Sequence, residues 1–259
     1  MKKLHFRYEM DLRFDREVTD HHFLFRLRPM ETERQHASGY FCNVRPRASL
    51  NEERDGFGNR GYAGVIEAPH DSLWVEAEGV VEIREGRISG FHPMYRYPSE
   101  YTVPDDRLRS FFRETADAFG RPVSGREGIL FLMDRLFGRF AYVPGVTSVK
   151  TTAAEAFAGG QGVCQDYAHI FISLCRLAGV PARYVAGMLL GEGATHAWTE
   201  LWTGTEWIGA DPTHNCLVDE NYIKLTHGRD FADGTVDKGW FLGPASQTQQ
   251  IYVKVEEVF

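Results

Sequence analysis

Long apolar runs are missing from this chain of 259 residues. The longest, such as 185–190 (VAGMLL), fall far short of the roughly 18 residues a membrane-crossing helix needs. Lys2 and Lys3 open the chain, but charges then recur at every second position and no apolar signal-peptide core follows, which predicts a cytoplasmic protein. A basic excess is missing too: 29 Lys and Arg against 36 Asp and Glu give a net charge of −7. With no basic stripe to offset that balance, nucleic acid is not an expected partner. Cysteine is scarce, with four at positions 42, 164, 175 and 216 and no Cys-x-x-Cys pair, so no disulfide framework is expected and each thiol is either core filler or chemistry. Internal repeats and low-complexity tracts are also lacking. What is present, 43% apolar and 25% charged residues, describes one or two globular domains whose core needs no disulfide or metal staple.

The first ninety residues read as β-structure. Leu4, Phe6, Tyr8, Met10, Leu12 and Phe14 take every even position, and period two means one apolar and one wet face. The pattern returns at Phe23, Phe25 and Leu27 and again at Leu73, Val75 and Ala77, with turn chemistry at 55–59 (DGFGN) between such runs. The expectation is a sandwich-like antiparallel β-domain over 1–92. A linker with three prolines follows at 92–105, and residues 93–259 then form an α+β domain. Helical spacing runs through Leu108, Phe111, Phe112, Thr115 and Phe119, then through Ile129, Leu132, Met133 and Leu136 behind a capping box at Ser124–Glu127. A second capping box, Thr152–Glu155, heads a short helix ending at Gly159-Gly160. Residues 164–178 are helical again, and strand patterns at 183–190, 196–202, 205–210 and 251–255 close the chain.

Cys164 stands where the glycine-rich loop 159–162 becomes a helix. First-turn N–H groups lack partners within the helix and its dipole favours negative charge, so that spot favours a thiolate, the form that attacks carbonyls. The loop's glycines admit a substrate close to the backbone, where the Cys164 N–H is the first candidate oxyanion donor and Gln161 and Trp198 are candidates for a second. Asp166 would oppose the thiolate if it faced the sulfur, and is expected to turn to backbone or a cation instead. A thiol nucleophile needs a base, and the base an orienting group. A two-residue turn at Thr203-Gly204 would set His196 directly opposite Asp211, Trp198 opposite Gly209 and Glu200 opposite Trp207, close enough for the carboxylate to hold the imidazole. Cys42, Cys175 and Cys216 read as filler, and His169 and His214 as satisfied polar groups. Trp202 and Trp207 read as packing. Cys164, His169, Cys175 and His196 match no usual zinc-ligand spacing, so neither metal nor cofactor is expected.

These residues make a recognisable series: G-Q-G-V-C164-Q-D-Y-A-H, then P181-A-R-Y-V, then T-H196-A-W-T-E-L, then W207-I-G-A-D211-P-T. The series resembles the transglutaminase-like superfamily, and within it the bacterial transglutaminase-like proteins described as cysteine proteases. R-L-R-P29 and D-G-F-G-N59 resemble that group's N-terminal β-domain, and G-R-D-F231-A-D its C-terminal stretch. The resemblance implies a transglutaminase/papain-like core with a Cys164–His196–Asp211 triad acting on protein or peptide amides. Acyl transfer through a Cys164 thioester to water would make a peptidase or amide hydrolase, and transfer to an amine a protein-glutamine transglutaminase. A catalytically silent binding module is the third possibility, since fold does not fix function.

Overall fold

The structure, a computed structural model, describes residues 1–258. Its first part holds β1 (Lys2–Phe25), β2 (Gln35–Arg45), β3 (Asn51–Arg54), β4 (Arg60–Ile66) and β5 (His70–Ile83). Then come α1 (Asp106–Phe119), α2 (Gly125–Phe137), β6 (Ala141–Tyr142), α3 (Ala153–Gly159), β7 (Gln161–Gly162) and α4 (Cys164–Leu177). The third part runs β8 (Ala182–Leu189), β9 (Gly191–Gly193), β10 (His196–Trp202), β11 (Trp207–Asp211), β12 (Cys216–Leu217), β13 (Tyr222–Gly228), α5 (Phe231–Gly234), β14 (Asp237–Leu242) and β15 (Gln247–Val258).

The alternating apolar residues Leu4 to Phe14 are all buried and face one core. The two apolar stretches at the N-terminus form one strand that changes partners. Residues up to Arg13 pair antiparallel with β5 and β15; the register breaks before Val18, and residues near Phe23 pair with β4 and β14. A bulge of this kind bends a strand so that it serves two sheet surfaces.

Eight strands share this first sheet, along the path β2-β5-β1-β15-β9. Assignment of the whole of 93–259 to a separate C-terminal domain is therefore corrected: β14 and β15 return to pair with β1. Sequence periodicity shows that Ile251, Val253 and Val255 make a strand but not which edge it joins. The five-stranded second sheet, β12-β11-β10-β8-β13, packs against α4, whose residues 165–175 are buried. One apolar cluster runs through both regions, from Leu4 and Val75 to Ile170 and Leu225. The proline-rich segment is also built in. Arg176 donates to Tyr95 O at 3.2 Å and Thr102 Oγ1 at 2.6 Å, and Trp207 Nε1 donates to Gly90 O at 3.0 Å. Among the described residues, no helix is long and apolar enough to cross a membrane.

The four helices predicted before residue 178 are present, but their caps differ. Thr152 and Glu155 close the expected reciprocal box, Glu155 accepting from Thr152 N at 2.9 Å and Thr152 Oγ1 from Glu155 N at 3.3 Å. Ser124 makes no side-chain cap bond: its hydroxyl turns to Pro122 O at 3.5 Å, and Glu127 pairs with Arg121.

Candidate active site

Short-range geometry places Cys164. Helix α3 stops at Gly160, whose left-handed φ of 71° suits glycine. The chain then pairs briefly in parallel with β6 before Val163 turns it into α4 with Cys164 as first residue. Asp166 locks this turn, its Oδ2 accepting from Val163 N at 2.8 Å and Thr147 Oγ1 at 2.7 Å. A side chain at position 162 would run into that carboxylate, so the approach requires glycine there. Burial pushes the Asp166 carboxyl up, while its two donors pull it down. Asp166 thus does turn to backbone, with a hydroxyl as second partner where a cation was the alternative.

The hairpin that carries His196 and Asp211 has a longer loop than expected. Thr203 N bonds Glu206 O at 2.9 Å, closing four residues, and Trp202 pairs with Trp207 and Glu200 with Gly209. The expected register, with His196 opposite Asp211, is therefore corrected by two residues. A shift of two leaves every side chain on its original face, whereas a shift of one would have reversed them all. His196 and Asp211 stand diagonally, still within side-chain reach, and His196 Nε2 meets Asp211 Oδ2 at 2.7 Å.

Asp211 is fully buried and saturated with donors. Its Oδ2 also bonds His214 Nδ1 at 2.7 Å and accepts from Tyr222 OH at 2.9 Å. Oδ1 accepts from the backbone N–H groups of Thr213, at 2.9 Å, and His214, at 3.3 Å. Burial alone would raise the Asp211 pKa, but its bonds to His196 and His214 bring it to about 2. Burial pulls His196 down, and the bond to Asp211 with the nearness of Cys164 outweighs it, raising the imidazole to about 9. With Nε2 held by Asp211, Nδ1 is the ring nitrogen left for the sulfur.

Of the two side-chain oxyanion candidates, Gln161 is exposed on β7 beside Cys164. Trp198 is buried and stacks on the His196 ring at 6.2 Å between centroids, a position that steadies the imidazole. His169 Nε2 accepts from Phe231 N at 3.0 Å, and Cys175 lies wholly in the core. Sequence reading missed His214 and Tyr222. The spacing Asp211-Pro-Thr-His214 could have signalled the first, since a tight turn after a strand brings such residues together. Tyr222 arrives from β13, and no local signal marks it.

Residues 113–212 match the transglutaminase-like superfamily core, and residues 4–82 match the bacterial transglutaminase-like N-terminal region. The chain thus carries a transglutaminase-like core with the bacterial transglutaminase-like N-terminal region ahead of it. An uncharacterized protein of Mycobacterium tuberculosis (strain ATCC 25618 / H37Rv) is 29% identical over 250 residues, covering 80% of this chain and 77% of its own length. A protein-glutamine gamma-glutamyltransferase of Pseudomonas aeruginosa is 29% identical over 128 residues, covering 42% of this chain and 18% of its own. A solved Cytophaga hutchinsonii structure, described as a candidate cysteine protease, superposes with a TM-score of 0.82 at 23% identity, covering 100% of this chain and 92% of that one.

Proposed function

We propose that this protein is a thiol-dependent acyl-transfer enzyme that hydrolyses peptide or glutamine amides through a thioester on Cys164. The observation that carries the reading is His196, fixed by a buried Asp211 at 2.7 Å and raised to about 9 in part by Cys164 at the head of α4. Cys164 Sγ attacks the amide carbonyl carbon to form the C–S bond. The oxygen charge is met by the Cys164 N–H and, as the candidate second donor, Gln161. His196 gives its proton to the nitrogen as the C–N bond breaks, releasing an amine or ammonia. Water then attacks the thioester with His196 taking its proton, the C–S bond breaks, and the thiol–imidazole pair is restored. Asp211 keeps the imidazole in one orientation and stabilises its cation.

A polypeptide substrate is favoured by the rim of the site. Tyr142, Val146 and Val149 are exposed on the segment running from β6 toward α3, and the Tyr142 phenol is near enough to feel the charge of Cys164. Transfer to an amine is the second reading, favoured by the match to the Pseudomonas gamma-glutamyltransferase. The test is a screen of glutamine-containing and generic peptides with and without a primary amine, scoring cleavage, ammonia release and amine incorporation separately. Turnover that Cys164→Ala abolishes supports the reading, and full turnover by that variant overturns it. An intact protein that neither turns over any peptide nor takes an electrophilic peptide probe on Cys164 would be a silent binding module.

A further inference from the structure

Asp211 Oδ2 is the meeting point of two imidazoles, and only one of them is used in the proposed chemistry. Nε2 of His196 and Nδ1 of His214 each lie 2.7 Å from that oxygen, and all three ligand-type atoms fall within 4.8 Å of one another. The rings approach at 5.1 Å between centroids. Two imidazole nitrogens, each freed of its proton, and a carboxylate oxygen are a donor set suited to zinc and neighbouring transition ions.

The set is also preorganised. Asp211 and His214 share one turn, in which the second carboxylate oxygen is pinned by the N–H groups of Thr213 and His214, and Asn215 ends the turn at a left-handed φ of 52°. Tyr222 OH supplies a further hydrogen bond to the carboxylate, the kind of outer support that ligating carboxylates have in metal sites. Ligand atoms at zinc distances sit about 3.3 Å apart, so the imidazoles must open by roughly 0.6 Å to admit the ion. The His214 side chain is half exposed, which provides both the freedom and the way in.

We propose that His196, Asp211 and His214 form a divalent transition-metal site, with Zn²⁺ as its ion, and that occupation blocks the thiol chemistry reversibly. The ion takes the His196 nitrogen that Asp211 now holds. The ring proton moves to Nδ1, or is released if the ring was an imidazolium, and that nitrogen no longer serves the sulfur. His214 moves its proton from Nδ1 to Nε2. No redox change or co-reactant is required. Binding itself does not depend on the thioester reading, so a failure of either leaves the other standing.

The test titrates Zn²⁺ alone into the full chain by calorimetry, with X-ray absorption on the loaded protein. Expected are one ion per chain, affinity at least about tenfold weaker in His214→Gln, and no loss of affinity in Cys164→Ala. The absorption shell should contain nitrogen and oxygen at about 2.0–2.1 Å without sulfur at about 2.3 Å. No binding, equal affinity in His214→Gln, or a sulfur scatterer overturns the proposal. Should His214→Gln not fold, the wild-type absorption shell and the Cys164→Ala affinity still decide.

Discussion

Glu200 on β10 and Asp211 on β11 are both buried carboxylates of one sheet, and they are held in opposite ways. Glu200 Oε2 is clamped by Arg183 Nε and Nη2, both at 2.6 Å, and by Lys224 Nζ at 2.5 Å, all buried. Against the cost of burial, Arg183 and Lys224 hold it well below the usual carboxylate range. Asp211 is instead surrounded by two imidazoles, a phenol and two backbone amides, and one of those imidazoles has a second nitrogen free for Cys164. Partners as buried as the carboxylate itself make a fastening. Partners that exchange protons, one of them reaching the surface, make a site for chemistry.

The largest expected effect breaks that contrast directly. Asp211→Asn should lower turnover by on the order of 10⁴-fold with a smaller loss of stability, because the imidazole loses the partner that fixes its tautomer. Glu200→Gln should do the reverse. It leaves Arg183 and Lys224 facing a neutral group in the core and should cost about 3–5 kcal/mol in urea unfolding. Alkylation of Cys164 in the molecules that remain folded should proceed at the wild-type rate. Should Asp211→Asn lose only stability, or Glu200→Gln lose only activity, the two carboxylates do not differ as described.

Their pH behaviour sharpens the same comparison. His196 is raised in the fold to about 9, so the stability it contributes is complete below its unfolded value of about 6.5 and is lost as pH rises through about 9. Asp211 is depressed to about 2, so its contribution is present above about 4 and is lost as pH falls through about 2. Unfolding free energy of the wild type should therefore decline by about 2.5 kcal/mol between pH 6.5 and 9, and His196→Gln should flatten that decline. A variant curve parallel to the wild type would place the titration elsewhere.

The smallest effect compares two helix starts. Thr152→Ala should cost about 1 kcal/mol, and Ser124→Ala only a few tenths, since Ser124 makes no cap bond. Equal melting shifts would show that the two boxes are alike in solution.

What the sequence reveals follows how local each cause is. The alternation from Leu4 to Phe14 gives the face of β1, and helix starts at Cys164 and Ala153 follow from nearby loop and cap residues. The position of Cys164 is legible for the same reason, because a glycine loop and a helix start are neighbours in the chain. Partnering is not local: the return of β14 and β15 to β1 depends on surfaces more than 200 residues apart in the sequence. The hairpin lies between these cases. Its loop has four residues where two were expected, yet the parity of the shift preserved the shared face of His196 and Asp211. Tyr222 and the Arg183–Glu200–Lys224 clamp are assembled across strands and carry no motif.

The central claim is that His196, held by Asp211, activates the sulfur of Cys164, and alkylation by iodoacetamide at pH 7 tests it most directly. An unassisted thiol is only a few per cent thiolate at that pH, so Cys164 in His196→Ala should react at least about tenfold more slowly than in the wild type. Equal rates in the two folded proteins would contradict it.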